Sequence, residues 1–105
     1  MKTENFFQTK VGKDCIDLDL SLSKWLGTRM IAWADNNNRW PEYGYEDAEA
    51  WSEALRKHGQ ALLDFSNRYS DEIGGYLDSE SERKLHRKAK KAMKWVAKNF
   101  NELWD

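Results

Sequence analysis

The C-terminal part of the chain carries a two-sided pattern that constrains the fold more than any other sequence feature. Over residues 79–103, apolar side chains recur at helical spacing, and the Lys and Arg side chains fall on the opposite side of the same helix. The apolar positions are Leu85, Ala89, Ala92, Met93, Val96, Phe100 and Leu103. Such a helix must pack its apolar side on other elements, so the pattern predicts a folded domain.

Two further helices are predicted upstream, in a chain whose 105 residues suit a single domain over 1–105. Apolar spacing predicts one helix over about 22–35 and another over about 47–69. Asp47 suits the positive N-terminal end of the second. Gly59 lies in the middle of that helix, where glycine is unfavourable, and it predicts the close approach of another element.

Residues 5–20 predict a β-hairpin. Phe7 and Val11 alternate with polar residues before a break that contains Gly12, and Ile16 and Leu18 alternate with polar residues after it. Period-two alternation on both sides of such a break is typical of paired strands with one apolar face. A lone hairpin is marginal in water, so we expect it to pack on the helices. The predicted fold class is therefore α+β, an N-terminal β-hairpin packed on a three-helix bundle.

The cysteine content and hydropathy bear on the compartment. Cys15 is the single cysteine, so it forms no intramolecular disulfide and no CxxC metal site. A secreted domain of this size more often carries several bridges. The sequence shows neither a signal-peptide pattern nor a membrane-spanning apolar run. We expect a cytoplasmic protein with no metal, no other cofactor and no membrane contact.

The basic side of the last predicted helix is the first candidate site. Residues 83–105 hold eight of the 17 Lys and Arg but two of the 18 Asp and Glu, although the formal net charge is −1. Such a stripe can follow a phosphate backbone, with an aromatic ring at its edge to stack on an unpaired base. It can also attract an acidic protein or an acidic part of the same chain, or it can serve only as a solvated face. The candidate residues are Arg83, Lys84, Arg87, Lys88, Lys91, Lys94, Trp95 and Lys98.

An aromatic loop between the first two predicted helices is the second candidate site. It contains Arg39, Trp40, Tyr43 and Tyr45. Trp, Tyr and Arg contribute more than other residues to protein–protein binding energy, so we expect this loop to anchor a protein partner. The alternative is that its rings fold back and seal one end of the core.

The sequence carries no recognisable catalytic pattern, so we predict that the protein is not an enzyme. His58 and His86 fall on or beside apolar helix faces, where a histidine is more often a hydrogen-bonded core residue than a base. Glu49 and Glu53 stand one turn apart and could hold a hard cation, but they suit the first turn of a helix better. No glycine-rich phosphate loop, HExxH or GxSxG pattern occurs.

Two runs of the chain resemble small proteins of bacterial phages and prophages. One is AMKWVAKNF at 92–100 with LWD at 103–105, and the other is WSEALRKHGQALL at 51–63. The resemblance implies a mobile-element origin. By analogy with that class it also implies that the protein binds and inhibits a host protein such as a CRISPR-type defence nuclease. It brings no catalytic residues.

These features together predict a non-catalytic protein-binding module. The aromatic loop would anchor the partner, and the basic side of the last helix would steer it. The alternative is a nucleic-acid-binding protein that uses the basic side. Homodimerisation is a third hypothesis, because six Trp side chains are many for one small core to bury.

Overall fold

The protein is helical, without a strand, over the residues that its computed structural model describes, which are 3–37, 39–41, 44–67 and 79–103. The elements are α1 (Thr3–Phe6), α2 (Lys10–Ile16), α3 (Leu18–Asn36), α4 (Ala48–Ser66) and α5 (Ser79–Lys98), followed by a 3-10 turn at Phe100–Glu102. α4 is the central helix, because α3 and α5 both pack on it and hardly on each other.

The predicted α+β fold is wrong, because the segment predicted as a hairpin over 5–20 contains α2 and the start of α3. Thr9 accounts for the start of α2. Its Oγ1 accepts a hydrogen bond from the Gly12 N–H at 2.9 Å, which is the contact of an N-cap. Gly12 is therefore not a turn residue but a buried residue of α2, lying against the backbone carbonyl of Phe6.

The apolar residues of that segment do not share one buried face. Val11, Ile16 and Leu18 are all exposed. Alternation predicts a strand only when the alternate positions lie on one buried side, and here they do not. Leu18 instead begins a helical series that continues with Leu22 and Trp25 on α3.

The three longer helices follow the sequence prediction with shifted ends. α3 begins at Leu18 rather than near 22, with Asp17 as its N-cap residue. α4 ends at Ser66, and the predicted extension to 69 reaches beyond the described residues. α5 is unbroken over Ser79–Lys98, and the chain then continues as a 3-10 turn rather than as helix to 103. In the described part of the chain, no helix is both long enough and apolar enough to cross a membrane.

α4 supplies the centre of the core because its apolar residues share one side, as their spacing predicts. Trp51, Leu55 and Leu62 are fully buried. The Asp47 side chain caps α4 by accepting a hydrogen bond from the Ala50 N–H at 2.8 Å. The other fully packed core residues are Met30 and Ala34 of α3, Phe65 of α4, and Ala89, Ala92 and Val96 of α5.

Side-chain and backbone contacts show that α4 runs antiparallel to both neighbours. The pairs are Gly27 with Gly59 and Trp33 with Trp51 between α3 and α4, and Trp95 with Trp51 and His86 with Phe65 between α5 and α4. α3 and α5 are consequently parallel to each other. The close approach predicted at Gly59 is confirmed, and Gly27 of α3 is its partner.

Candidate functional site

An open apolar groove of about 560 Å³ lies between α3 and α5, on the side where these two helices do not pack on each other. A closed helix bundle would fill this space with side chains from both helices. Phe65 of α4 and Ala89 of α5 form its floor, since they are only 6% and 7% exposed. Leu22, Met93 and Ala97 line its walls.

The α3 wall of the groove continues into an exposed apolar stripe, which consists of Leu18, Leu22 and Trp25. Their spacing places them on one side of α3. They are 57%, 46% and 55% exposed. The Arg29 guanidinium lies over the Trp25 ring, 4.1 Å from its centroid. Single exposed apolar residues are ordinary on a protein surface, but a stripe beside an apolar groove is a candidate interaction surface.

The α5 rim of the groove is positively charged. Lys90 and Lys94 line it, one helical turn apart, and both are exposed. Asp19 and the buried Ser23 are among the lining residues on the α3 side. A molecule seated in the groove would therefore meet positive charge along its α5 edge, beside a mostly apolar surface.

The basic side of α5 faces solvent along the whole helix. All of its predicted Lys and Arg residues are exposed, namely Arg83, Lys84, Arg87, Lys88, Lys91, Lys94 and Lys98. The ion pairs seen among the described residues join Arg56 to Asp35 and His86 to Glu82, and neither uses a Lys or Arg of α5. Acidic groups in the described part of the chain thus leave the positive charge of this helix open to a partner.

Trp95 differs from the other residues predicted on the basic side, because its ring belongs to the core. Its Nε1–H donates a hydrogen bond to the Tyr45 hydroxyl at 2.8 Å. The ring stacks on His58 with centroids 4.6 Å apart, and its centroid lies 5.2 Å from that of Trp51. The Trp95 ring was predicted to stack on an unpaired base. The contacts with His58, Trp51 and Tyr45 occupy the ring surface that such stacking would need.

The residues of the predicted aromatic anchor do not form one exposed surface. Tyr45 is half-buried and packs edge-on against Trp51 with centroids 4.9 Å apart, so it seals the core as the alternative interpretation proposed. Trp40 is 47% exposed, and Arg39 beside it is exposed. Tyr43 lies outside the described residues.

Asn37 shapes the loop that carries Trp40. Its Nδ2 donates a hydrogen bond to the Arg39 carbonyl at 2.6 Å, and its Oδ1 accepts one from the Arg39 N–H at 3.2 Å. The cleft lined by Trp40, Pro41 and Trp33 has a volume of about 40 Å³. This is far below the roughly 300 Å³ at which small-molecule sites begin, so the loop presents a half-exposed ring rather than a ligand pocket.

His58 is held as a neutral core residue, in line with its sequence interpretation. Burial lowers its pKa from the ordinary value of 6.5. The Ala54 carbonyl, 2.7 Å from Nδ1, opposes this shift of the pKa, and the charge of Lys57 adds to it. A ring that is hydrogen-bonded to its own helix and stacked on Trp95 is a packing element of α4.

The remaining chemistry-bearing residues are dispersed. Within the described residues, no group of three or more His, Cys, Asp or Glu side chains stands close enough to hold a metal ion. Glu49 and Glu53 are exposed on α4. Cys15 is a half-buried free thiol on α2, not on the polar face of a strand.

The groove was not predicted from the sequence, although the distribution of apolar residues around α3 indicates it. Met30 and Ala34 face the core, whereas the exposed stripe lies on a second side of the same helix. A surface helix normally carries one apolar stripe. A second stripe indicates that the helix has a second surface to cover.

No family model, curated protein or solved structure matches this chain. The resemblance to small phage and prophage proteins therefore stays a prediction, together with the inhibitor role that it implies. The domain is small and helical over the residues that the structure describes, and this bears neither way on the resemblance.

Proposed function

We propose that the protein is a non-catalytic protein-binding module of the cytoplasm and that its docking site is the groove between α3 and α5. The observation that carries this proposal is the groove itself, which is open, has a volume of about 560 Å³ and is continuous with the exposed stripe of α3. Covering apolar surface contributes roughly 25 cal/mol per Å² removed from water, so a matching partner gains binding free energy here.

The arrangement of polar groups favours a polypeptide segment over a small molecule. The groove volume falls in the range of small-molecule sites, about 300–1,000 Å³, but such sites hold polar groups that converge on the ligand. Here Lys90 and Lys94 lie side by side along the α5 edge instead of converging on one point, and most of the exposed lining is apolar. An apolar groove of this kind can receive the apolar face of an amphipathic helix from another protein.

The basic side of α5 supports the same proposal as a steering surface. Its exposed cations attract an acidic partner over a Debye length of about 10 Å at 0.1 M salt. Such attraction mainly raises the association rate, while the apolar groove supplies affinity. Trp40 is the part of the predicted aromatic anchor that remains available as a second contact.

Site-specific photocrosslinking in bacterial cells tests the proposal. A photoreactive residue in place of Ala97, which is exposed and lines the groove, should crosslink a discrete protein partner. The same residue in place of Lys57, exposed on α4 and outside the groove lining, should not. Leu22→Glu should abolish the crosslink, because it places a carboxylate on the apolar wall.

Phe100→Glu is the matched control for Leu22→Glu. Phe100 is 71% exposed and does not line the groove, so its charge substitution should leave the crosslink from residue 97 intact. Unchanged circular dichroism spectra would verify that both variants fold. Equal crosslinking from residues 97 and 57, or a crosslink that survives Leu22→Glu, would contradict the proposed docking site.

Nucleic-acid binding is the second candidate function, favoured by one observation, the open positive charge along α5. The residues that would contact phosphate are Lys84, Arg87, Lys88, Lys91, Lys94 and Lys98. Binding of this kind weakens steeply with salt, because each neutralised phosphate releases counterions. Without Trp95 as a stacking ring, charge would have to supply most of the affinity.

A salt titration with a labelled oligonucleotide tests this second candidate. Micromolar binding near 150 mM salt, with a steep salt slope that flattens in the triple variant K84Q/K88Q/K91Q, would support it. Lys57→Gln on α4 is the control and should leave the slope unchanged. Absence of binding at about 50 mM salt would remove this candidate.

A further inference from the structure

We propose that the occupant of the groove is an amphipathic helix whose acidic flank faces α5. This inference rests on the function proposed above and adds the chemistry of the partner. It follows from the two lysines on the α5 rim, Lys90 and Lys94, from the mostly apolar lining and from the length of α5 that lines the groove.

The length of the groove sets the length of the occupant. α5 lines it from His86 to Ala97. At 1.5 Å per residue, this stretch of helix is about 16 Å long. An occupant helix lying along α5 would follow this stretch for about three turns, and its apolar side would meet Met93 and Ala97 of α5 and Leu22 of α3.

The α5 rim selects acidic side chains. Lys90 and Lys94 are four residues apart, so their Cβ atoms lie about 6 Å from each other on one side of the helix. Two carboxylates spaced i, i+3 or i, i+4 on the occupant match this separation. A basic flank at the same place would be repelled by both lysines and by the rest of the basic side of α5.

A second copy of α5 does not fit this description, because it would place lysines against Lys90 and Lys94. The occupant proposed here belongs to another protein, and occupancy by any other part of a second copy is an outcome that the experiment below distinguishes. The groove supplies the apolar contacts for the occupant, and Lys90 and Lys94 supply its orientation.

Selection from a peptide display library tests the inference. The library encodes amphipathic helices of about four turns, with Leu, Ile, Met or Phe on one side and Glu, Gln or Lys at every flank position. Peptides are selected on the purified wild-type protein in the presence of excess Leu22→Glu protein, so that only groove-dependent binders survive. Among the selected peptides, we expect Glu to be at least about tenfold more frequent than Lys at i, i+3 or i, i+4 positions of one flank. We expect no such excess of Glu on the other flank.

Charge reversal on the protein provides the matched control. Selection on K90E/K94E should enrich Lys instead of Glu on the same flank. Selection on K84E/K88E, which reverses the same number of charges on α5 outside the groove, should still enrich Glu. Each pair consists of exposed residues one turn apart, so both variants are expected to fold.

The outcomes separate this inference from the function on which it rests. Groove-dependent peptides with neutral or basic flanks would overturn the acidic helix and leave the docking site in place. Failure to recover any groove-dependent peptide would overturn the inference, and a missing crosslink from residue 97 would overturn the docking site as well. A dimer in sedimentation equilibrium that dissociates on Leu22→Glu would show a second copy in the groove. Groove-dependent binding to phosphatidylserine vesicles would show a lipid surface there, and either result would overturn the inference.

Discussion

Gly27 of α3 and Gly59 of α4 meet backbone against backbone where the two helices cross. A Cβ atom on Gly27 would lie 2.7 Å from the Gly59 carbonyl oxygen, and one on Gly59 would lie 3.0 Å from the Gly27 carbonyl oxygen. Each glycine costs about 1 kcal/mol relative to alanine in a helix. This cost is offset because close contact lets the side chains around the crossing pack tightly, Leu62 and Met30 among them.

Gly27→Ala is expected to destabilise the protein by about 1–2 kcal/mol, the cost of overpacking minus the gain in helix propensity. Its Cβ would meet a backbone atom, which cannot move away as a side chain can. Gly59→Ala is the matched comparison and should cost less, since its closest contact is longer. Urea unfolding followed by circular dichroism measures both. A Gly27→Ala variant as stable as the wild type would contradict the crossing described here.

Residue spacing was sufficient to predict α4 and α5, because each has one buried side and therefore a clear helical period. Asp47 also marked the start of α4 correctly. The side chains of Leu55 and Leu62 on α4, and of Ala92 on α5, are fully buried as that period requires. Local pattern and tertiary packing agree in these two helices.

The N-terminal segment could not be predicted in the same way, because its apolar residues are not buried by the domain. Val11 and Ile16 are exposed, so their alternation carried no information about a core. The groove was missed for a related reason. It arises because α3 and α5 hardly touch, and that is a property of how helices pack on α4 rather than of any one segment. The exposed stripe at Leu18, Leu22 and Trp25 was its one local signal.

The hydrogen bond from Trp95 to Tyr45 is expected to contribute about 1 kcal/mol to stability. Tyr45→Phe removes the acceptor hydroxyl and leaves the half-buried indole N–H without this partner, while the ring contact with Trp51 is kept. Trp95→Phe should cost more, because it also loses the contact with His58. The double variant isolates the pair, since coupling between the two substitutions should appear in a double-mutant cycle of urea unfolding. Strictly additive effects would mean that the hydrogen bond does not stabilise the fold.

Stability is expected to fall as the pH drops below about 6.5, and His58 is one cause. Burial lowers the pKa of His58 in the folded protein, whereas in the unfolded chain it titrates near the ordinary value of 6.5. Above that pH the imidazole is neutral in both states, so its contribution to stability is fully present. Below it, the unfolded chain takes up a proton that the folded chain resists, which favours unfolding until the pH passes the lowered pKa.

His58→Asn tests this pH dependence, because asparagine does not titrate and its amide N–H takes the place of Nδ1 toward the Ala54 carbonyl. Asn36 and Asn99 make the same kind of hydrogen bond to the carbonyl four residues earlier. Urea midpoints of the variant should decline less than those of the wild type between about pH 7.5 and pH 5.5. Carboxylates titrate in both proteins, so the difference between the two curves isolates residue 58. Parallel curves for variant and wild type would show that His58 is not responsible.

Neutralising part of the basic side of α5 is expected to stabilise the fold. Lys88 and Lys91 each stand three or four residues from other cations of the same helix, and like charges at this spacing cost about 0.2–0.5 kcal/mol per pair. Glutamine has nearly the same helix propensity as lysine. The double variant K88Q/K91Q should therefore gain roughly 0.5–1 kcal/mol at low salt, and the gain should shrink near 1 M salt, where charges are screened within about 3 Å.

Lys57→Gln is the control for this stabilisation, because Lys57 on α4 stands four residues after Glu53 and loses a favourable pair when neutralised. Its stability should stay the same or fall slightly in the same urea titrations. If K88Q/K91Q were instead less stable than the wild type, the lysines of α5 would be contributing to the fold. A gain in stability would show that the fold does not require the positive charge, as expected of a surface that serves a partner.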